Sequence, residues 1–376
     1  MDELRLYATS TFGLELTVKN QLKDMGYEIT SSSDGKVEIN GNFKDIARLN
    51  LWLRSADRVF IKMGEFKALT FEELFEKTKE IPWENLITKD GKFTVNGKSV
   101  DSTLFSVRSC QSIVKKAIVE RLKDKYKKEW FEETGPEYTV QISMLRDIAT
   151  LSIDTSGKGL NKRGYREAPV VASLKETLGA GLVMLSYYNK ERTLLDPLCG
   201  SGTIPIEAAM IAKNIAPGLN RDFACKHWPQ IDKDIWKIAY QEAYDLIDRD
   251  IKLDITGSDI DEEAIKCCLK NAKNAGVEKD ITFKVQALND IWIDKQYGIV
   301  ITNPPYGERI GDYPTLNRLY LDMDKIFKKK KGWSIYVITG DLKFSSFFKR
   351  HYDRERKLYN GNMQVRYLQF YGEKPQ

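Results

Sequence analysis

From residue 193 to the end of the chain, short apolar runs alternate with segments of helical periodicity. That alternation constrains the fold most, because parallel strands need a long crossover connection and a helix is the usual one. Strands are expected at 193–195, 255–257, 282–285, 299–301 and 333–338. Two further runs, 354–359 and 364–371, flank Asn360-Gly361, a strong two-residue hairpin signal. The expectation is an α/β fold, a mostly parallel sheet that ends in an antiparallel hairpin. Residues 217–252 interrupt it between the first helix and the second strand, with Trp228 and Trp236 read as the core of that insertion.

The residues ahead of this sheet are patterned differently. Residues 4–66 read strand, helix, strand, strand, helix, strand, the order of a small α+β sandwich with helices on one face. Leu14, Val18 and Leu22 mark one helical stripe, Ile46, Leu49 and Leu53 the other, and 31–35 supply a turn. A second unit opens at Thr70-Phe71-Glu72-Glu73, a capping-box start. Strands are expected there at 93–95 and 104–106, then a helix from a Ser112 cap through residue 130. An antiparallel pair, 138–142 and 148–153, closes it around Arg146-Asp147. Glycines and charges at 157–164 mark a boundary, and an apolar helix from Ser173 to Tyr188 leads into the parallel sheet. The expected division is therefore 1–66, 67–156, a linker with its leading helix at 157–192, and 193–376.

A chain of 376 residues holds two or three such cores. No apolar run reaches the length of a bilayer-crossing helix, and the N-terminus has no basic stretch followed by an apolar block. Five cysteines without paired metal-ligand spacing fit reduced thiols in the cytoplasm and no metal. Cys267-Cys268 reads as helix packing, and His227 and His351 as surface or structural residues. The net charge of +5 is a mild sign of an anionic partner. Local clusters say more: Lys115-Lys116, then Lys123, Lys125, Lys127 and Lys128, and later 328–331. Such runs are most often solvated helix faces.

Three strand ends carry the chemistry. Asp196-Pro197-Leu198-Cys199-Gly200-Ser201-Gly202-Thr203 follows the first strand and opens a helix, and its small residues let a ligand approach the backbone. It has neither the lysine of a phosphate-cradling loop nor the third glycine of a dinucleotide site. A carboxylate at Asp196 repels a pyrophosphate and attracts an ammonium or sulfonium group. The second strand ends at Ser258-Asp259-Ile260-Asp261, where Asp261 suits a helix cap, Asp259 the two ribose hydroxyls, and Ile260 an adenine face. The fourth ends at Asn303-Pro304-Pro305-Tyr306, where two prolines forbid further ladder pairing. An adenosine without phosphates, a cationic tail and this proline-bounded edge point to S-adenosylmethionine.

These residues resemble a class I methyltransferase of the amino-methylating kind. With 160–166, the 109–117 stretch Ser109-Cys110-Gln111-Ser112-Ile113-Val114-Lys115-Lys116-Ala117 and Ala216-Pro217-Gly218-Leu219-Asn220-Arg221, the chain is similar to the bacterial large-subunit rRNA guanine-N2 methyltransferases with a THUMP RNA-binding domain. The likeness spans nearly the whole chain. It implies a Rossmann-like class I methyltransferase domain preceded by a ferredoxin-like and THUMP region, with S-adenosylmethionine as cofactor and RNA, rRNA above all, as partner. It implies no membrane and no obligate protein partner.

Carried over, the resemblance assigns Asp196, Leu198, Cys199, Gly200, Ser201, Gly202 and Thr203 to the methionine and backbone contacts, Asp259 to ribose and Ile260 to adenine. The family's polar residue two places after the glutamine is Leu288 here, so the adenine amino contact is expected to shift to Asn289 or to backbone, with Asp290 beside it. Asn303, Pro304, Pro305 and Tyr306 are the expected catalytic set. The Asn303 side-chain oxygen and the Pro304 carbonyl accept the two N–H bonds of a base amino group, and Tyr306 stacks on the base. Asp290 and Glu308 are candidates for the final proton. Lys115, Lys116, Arg163 and Arg166 are the candidate RNA contacts, although Arg163, Tyr165 and Arg166 equally suit sealing the cofactor cleft. The alternatives are adenine-N6 methylation of RNA or DNA, and a noncatalytic RNA-binding assembly factor.

Overall fold

The computed structural model describes residues 3–166, 174–306 and 313–374. Its front half runs β1 (Leu4–Ser10), α1 (Glu15–Asp24), β2 (Ile29–Ser33), β3 (Lys36–Gly41), α2 (Phe43–Trp52) and β4 (Ala56–Lys67). It continues with α3 (Phe71–Glu80), β5 (Lys92–Val100), α4 (Val107–Tyr126), β6 (Glu137–Leu145) and β7 (Ile148–Asp154). The two patterned units are not separate sheets. They form one seven-stranded sheet in the order β2-β3-β1-β4-β7-β6-β5. The seam is β4, whose first part pairs with β1 and whose remainder pairs with β7. A boundary at 66–67 falls at the last residues of this strand.

Local chemistry explains two departures. Residues 104–106 are not a strand: Ser106 caps α4 by accepting from the Ser109 backbone N–H, so the helix starts before Ser112. The stretch is rich in serines, and only burial of Leu104 and Cys110 selects which of them caps. The helix ends at Tyr126, with Lys127 turned into the left-handed region at φ 52°. Likewise β2 extends through Ser31–Ser33, where pairing with β3 overrides the turn preference of serine.

The back half runs α5 (Glu176–Met184), β8 (Leu194–Asp196), α6 (Thr203–Ala212), α7 (Lys233–Asp245), β9 (Ile255–Asp259), α8 (Glu262–Asn274) and β10 (Ile281–Val285). It closes with β11 (Tyr297–Thr302), α9 (Tyr313–Phe327), β12 (Gly332–Thr339), α10 (Phe344–Phe347), β13 (Arg354–Asn360) and β14 (Met363–Phe370). The sheet order is β10-β9-β8-β11-β12-β14-β13, parallel through β12 and antiparallel at the hairpin. Strand order reverses between β8 and β11, the switch point where ligands of open α/β sheets bind. The hairpin turn sits one residue later than expected, because Asn360 still pairs with Met363 and Gly361 takes φ 65°.

The halves interlock. The insertion packs on the front sheet rather than on itself: Trp228 and Trp236 join the front core, and the Trp228 indole N–H donates to the Glu137 carbonyl at 3.0 Å. In return, Leu14 enters the back core. Beside it Gly13, at φ 90°, lies against β13, and an added Cβ would stand 2.5 Å from the Lys357 carbonyl oxygen. Gly13→Ala is therefore expected to cost at least about 1–3 kcal/mol from backbone strain alone. Thermal denaturation checks this; an unchanged midpoint would show that the contact is not made in solution.

Candidate active site

Asp259, Asp196 and Asn303 lie at the carboxyl ends of the adjacent strands β9, β8 and β11, respectively. Asp196 is buried, and its Oδ1 accepts from the Thr302 hydroxyl at 2.8 Å and from the Leu198 N–H at 3.3 Å. Burial pushes its carboxyl up to about 7, partly offset by the Thr302 hydrogen bond. Asp259 Oδ2 accepts from the Gly200 N–H at 2.9 Å, and its Oδ1 from the Asp261 N–H at 3.1 Å. Asp261 caps α8. Ile260 is 74% exposed next to Asp259.

The loop 197–202 is shaped from behind. Cys199 donates its N–H to the Ser258 carbonyl at 2.9 Å, and the Cys268 thiol donates to the Gly200 carbonyl at 3.0 Å. The Asn271 amide donates to the Ser201 carbonyl at 3.1 Å. Gly200 and Gly202 have φ of 53° and 79°, a region other residues enter with strain. A Cβ on Gly200 would meet no atom within 4 Å, so the loop presents bare backbone there. Thr203 begins α6 and accepts from Arg166 at 2.8 Å. Of these supports, Thr302 and Asn271 were missed by pattern reasoning. The signal was present in each: a polar residue on an otherwise buried apolar strand or helix face.

At the fourth strand end, the Asn303 Oδ1 atom is buried without a hydrogen-bond partner among the described residues. Its place at the carboxyl edge of the sheet leaves that acceptor available to a bound N–H donor. The Pro305 carbonyl accepts from the Tyr320 hydroxyl at 3.2 Å, which ties the strand exit to α9. The Tyr306 ring, expected outward as a stacking platform, is only 2% exposed and sits in the back core. The reason is Gly340, which leaves room for the ring: a Cβ there would lie 2.9 Å from it. Gly307, Arg309 and the proton-acceptor candidate Glu308 lie outside the described residues.

Other expected residues fall elsewhere. The Asn289 amide donates to Asp322 of α9 at 3.0 Å, while Asp290 is exposed and accepts through its carbonyl from Gln286. Lys115 and Lys116 are exposed on α4 in the front half, over the Phe93 and Phe75 rings. Arg163 is not an RNA-facing residue. It is buried, donates to the Leu160 and Arg54 carbonyls, and pairs with buried Glu207 of α6 at 3.4 Å. Arg54 in turn donates to the Ile215 carbonyl at 2.8 Å, so this cluster joins the two halves. Arg166 pairs with Glu176 at 3.0 Å and reaches Thr203, holding α5 to the start of α6. Among the described residues no group of three or more His, Cys, Asp or Glu is placed to hold a metal ion.

Strand order, an acidic phosphate-averse loop, a ribose-suited carboxylate and an Asn-Pro-Pro edge together define a class I methyltransferase domain. Comparison with known proteins gives its family. Residues 163–369 match the family described as RMKL-like, methyltransferase domain; 68–154 match the THUMP domain; and 5–60 match the RlmL ferredoxin-like domain. The chain belongs to the RMKL-like methyltransferase family. It is 45% identical to the putative RNA methyltransferase YpsC of Bacillus subtilis over 99% of this chain and 97% of that one. It is 30% identical to the ribosomal RNA large subunit methyltransferase K/L of Syntrophotalea carbinolica, covering 98% of this chain and about half, 53%, of that protein. A solved putative methyltransferase complexed with SAH, SMU.472, superposes with a TM-score of 0.94 at 42% identity over 100% of both chains. S-adenosylmethionine is the methyl donor. The open backbone at Gly200, the exposed Ile260 and the acidic side chains of Asp196 and Asp259 at adjacent strand ends fit that group.

Proposed function

We propose that this protein methylates an exocyclic base amino group of RNA, guanine N2 of 23S ribosomal RNA. The observation that carries the reading is the buried Asn303 oxygen at the switch point, which has no hydrogen-bond partner among the described residues and lies one residue from the Thr302–Asp196 hydrogen bond. An exocyclic amino nitrogen is a poor nucleophile because its lone pair is delocalised into the ring. Accepting its N–H bonds at Asn303 Oδ1 and the Pro304 carbonyl turns that lone pair outward, so the work of these residues is orientation. The cofactor supplies an electrophilic methyl group when bound. Asp259 would hold its ribose, Ile260 would cover its adenine, and Asp196 and the 198–203 loop would seat its methionine end. A paired base must be extruded to reach such a site. The THUMP region and the name carried by the K/L relatives favour ribosomal RNA as the substrate.

Because guanine and adenine both present an amino group, product identity is the decisive test. Unmethylated RNA from cells lacking the gene should gain label from S-adenosylmethionine, and mass spectrometry should find N2-methylguanosine. N6-methyladenosine alone would sink the guanine reading. A noncatalytic assembly factor predicts no cofactor binding by calorimetry.

Asp196 gives a pH prediction. Its carboxyl is held above its unfolded value near 4, so its contribution to folding is full below about pH 4 and is lost as pH rises through about 7. Cofactor binding runs the other way, since a cationic tail favours the carboxylate. The wild-type dissociation constant for S-adenosylmethionine should be about tenfold weaker at pH 6 than at pH 8. Asp196→Asn should flatten that dependence. A wild-type profile identical to the variant's would remove Asp196 from the cofactor site.

A further inference from the structure

We propose that the β13–β14 hairpin, together with Phe12 of the front half, seats the RNA strand that flanks the methylated nucleotide. The proposal rests on the RNA reading above and extends it to a surface. Three observations support it. The hairpin tip adjoins the site edge: a Cβ on Gly340 would touch the Tyr306 ring on one side and lie 3.4 Å from the Met363 sulfur on the other. Lys357 lies three residues along β13 from that tip, about 10 Å at strand spacing. The segment is basic: residues 341–366 hold seven Lys or Arg against three Asp or Glu, a net +4.

Cations and rings also interleave on this surface. Lys357 Nζ stands 5.6 Å from the Tyr359 ring centroid, and the Arg366 guanidinium 5.8 Å from that of Tyr352. Phe12, 44% exposed, meets Tyr359 edge-on at 5.9 Å, and Leu342, 74% exposed, follows β12 at the same end of the sheet. The acidic groups are engaged. Glu355 pairs with Arg366 at 2.6 Å, Asp341 accepts the Lys343 N–H at 2.8 Å, and Asp353 accepts the Tyr371 N–H at 2.6 Å. Alternating cations and ring faces are what a single strand needs, phosphates to the former and bases to the latter. A second copy of this chain is a poorer occupant, because the outer edge of β13 at Lys357 is already covered by Gly13.

The test uses the full chain with a protein-free 23S ribosomal RNA transcript. Lys357→Glu should raise the KM for RNA about tenfold or more and lower the salt slope of binding by about one. Tyr359→Leu should raise KM about five- to hundredfold through lost stacking. Both should keep kcat and the S-adenosylmethionine dissociation constant within about twofold, a split that general unfolding would not give. If wild type methylates the transcript and both variants match it, the hairpin proposal alone falls. If wild type methylates no RNA, the RNA reading falls and takes the hairpin with it. An altered sedimentation mass with unchanged KM would assign the face to self-association and overturn the proposal.

Discussion

Asn303→Ala is expected to lower kcat by about 10²–10³-fold, the size of effect seen when one positioned polar group is removed from a reacting centre. The S-adenosylmethionine dissociation constant should stay nearly unchanged, because Asn303 follows the Thr302–Asp196 contact without taking part in it. The physical basis is the state of Oδ1. It is buried and lacks a partner among the described residues, so its desolvation is already incurred before substrate arrives. An incoming N–H recovers that cost only in the productive pose. Single-turnover kinetics beside calorimetry separate the two quantities. Equal losses in kcat and cofactor affinity would show that Asn303 belongs to the cofactor site instead.

The second large effect is structural. Arg163→Met should destabilise the protein by about 3–5 kcal/mol, because it leaves buried Glu207 without its ion-pair partner and with only the Tyr165 hydroxyl as donor. The damage should spread, since Arg163 also ties the Leu160 and Arg54 carbonyls and thereby joins the linker to the front half. Arg163→Met with Glu207→Leu should recover most of the loss, as apolar replacements of a buried pair often do. Urea titration followed by tryptophan fluorescence reads both. A loss below about 1 kcal/mol in the single variant would show that water reaches Glu207.

A residue that suited either an RNA contact or a seal on the cofactor cleft thus turns out to hold the molecule together. Arg163 sits in a run of charges and glycines that reads as a domain boundary. Nothing within several residues of it announces Glu207, which lies beyond the intervening helix and cofactor loop. Tyr306 reverses in the same way. Its neighbours Pro304 and Pro305 locate a strand end, but only Gly340, on another strand's exit, makes room for the ring in the core.

What the amino-acid order determined by itself was the position of each strand end and the chemistry presented there. Asp196, Asp259 and Asn303 are each followed by local breakers (a proline, a capping aspartate, a proline pair) that act within a few residues. Period and breaker together located the carboxyl edge, and the residue types at that edge named the cofactor. What tertiary structure alone decided was how the pieces share surface. β4 fuses two patterned units into one sheet, and the insertion lends its tryptophans to the front core. The Phe12–Gly13 turn covers the last strand of the other sheet. Each of these depends on pairing and burial between segments far apart in the chain, where neither periodicity nor turn chemistry carries a signal.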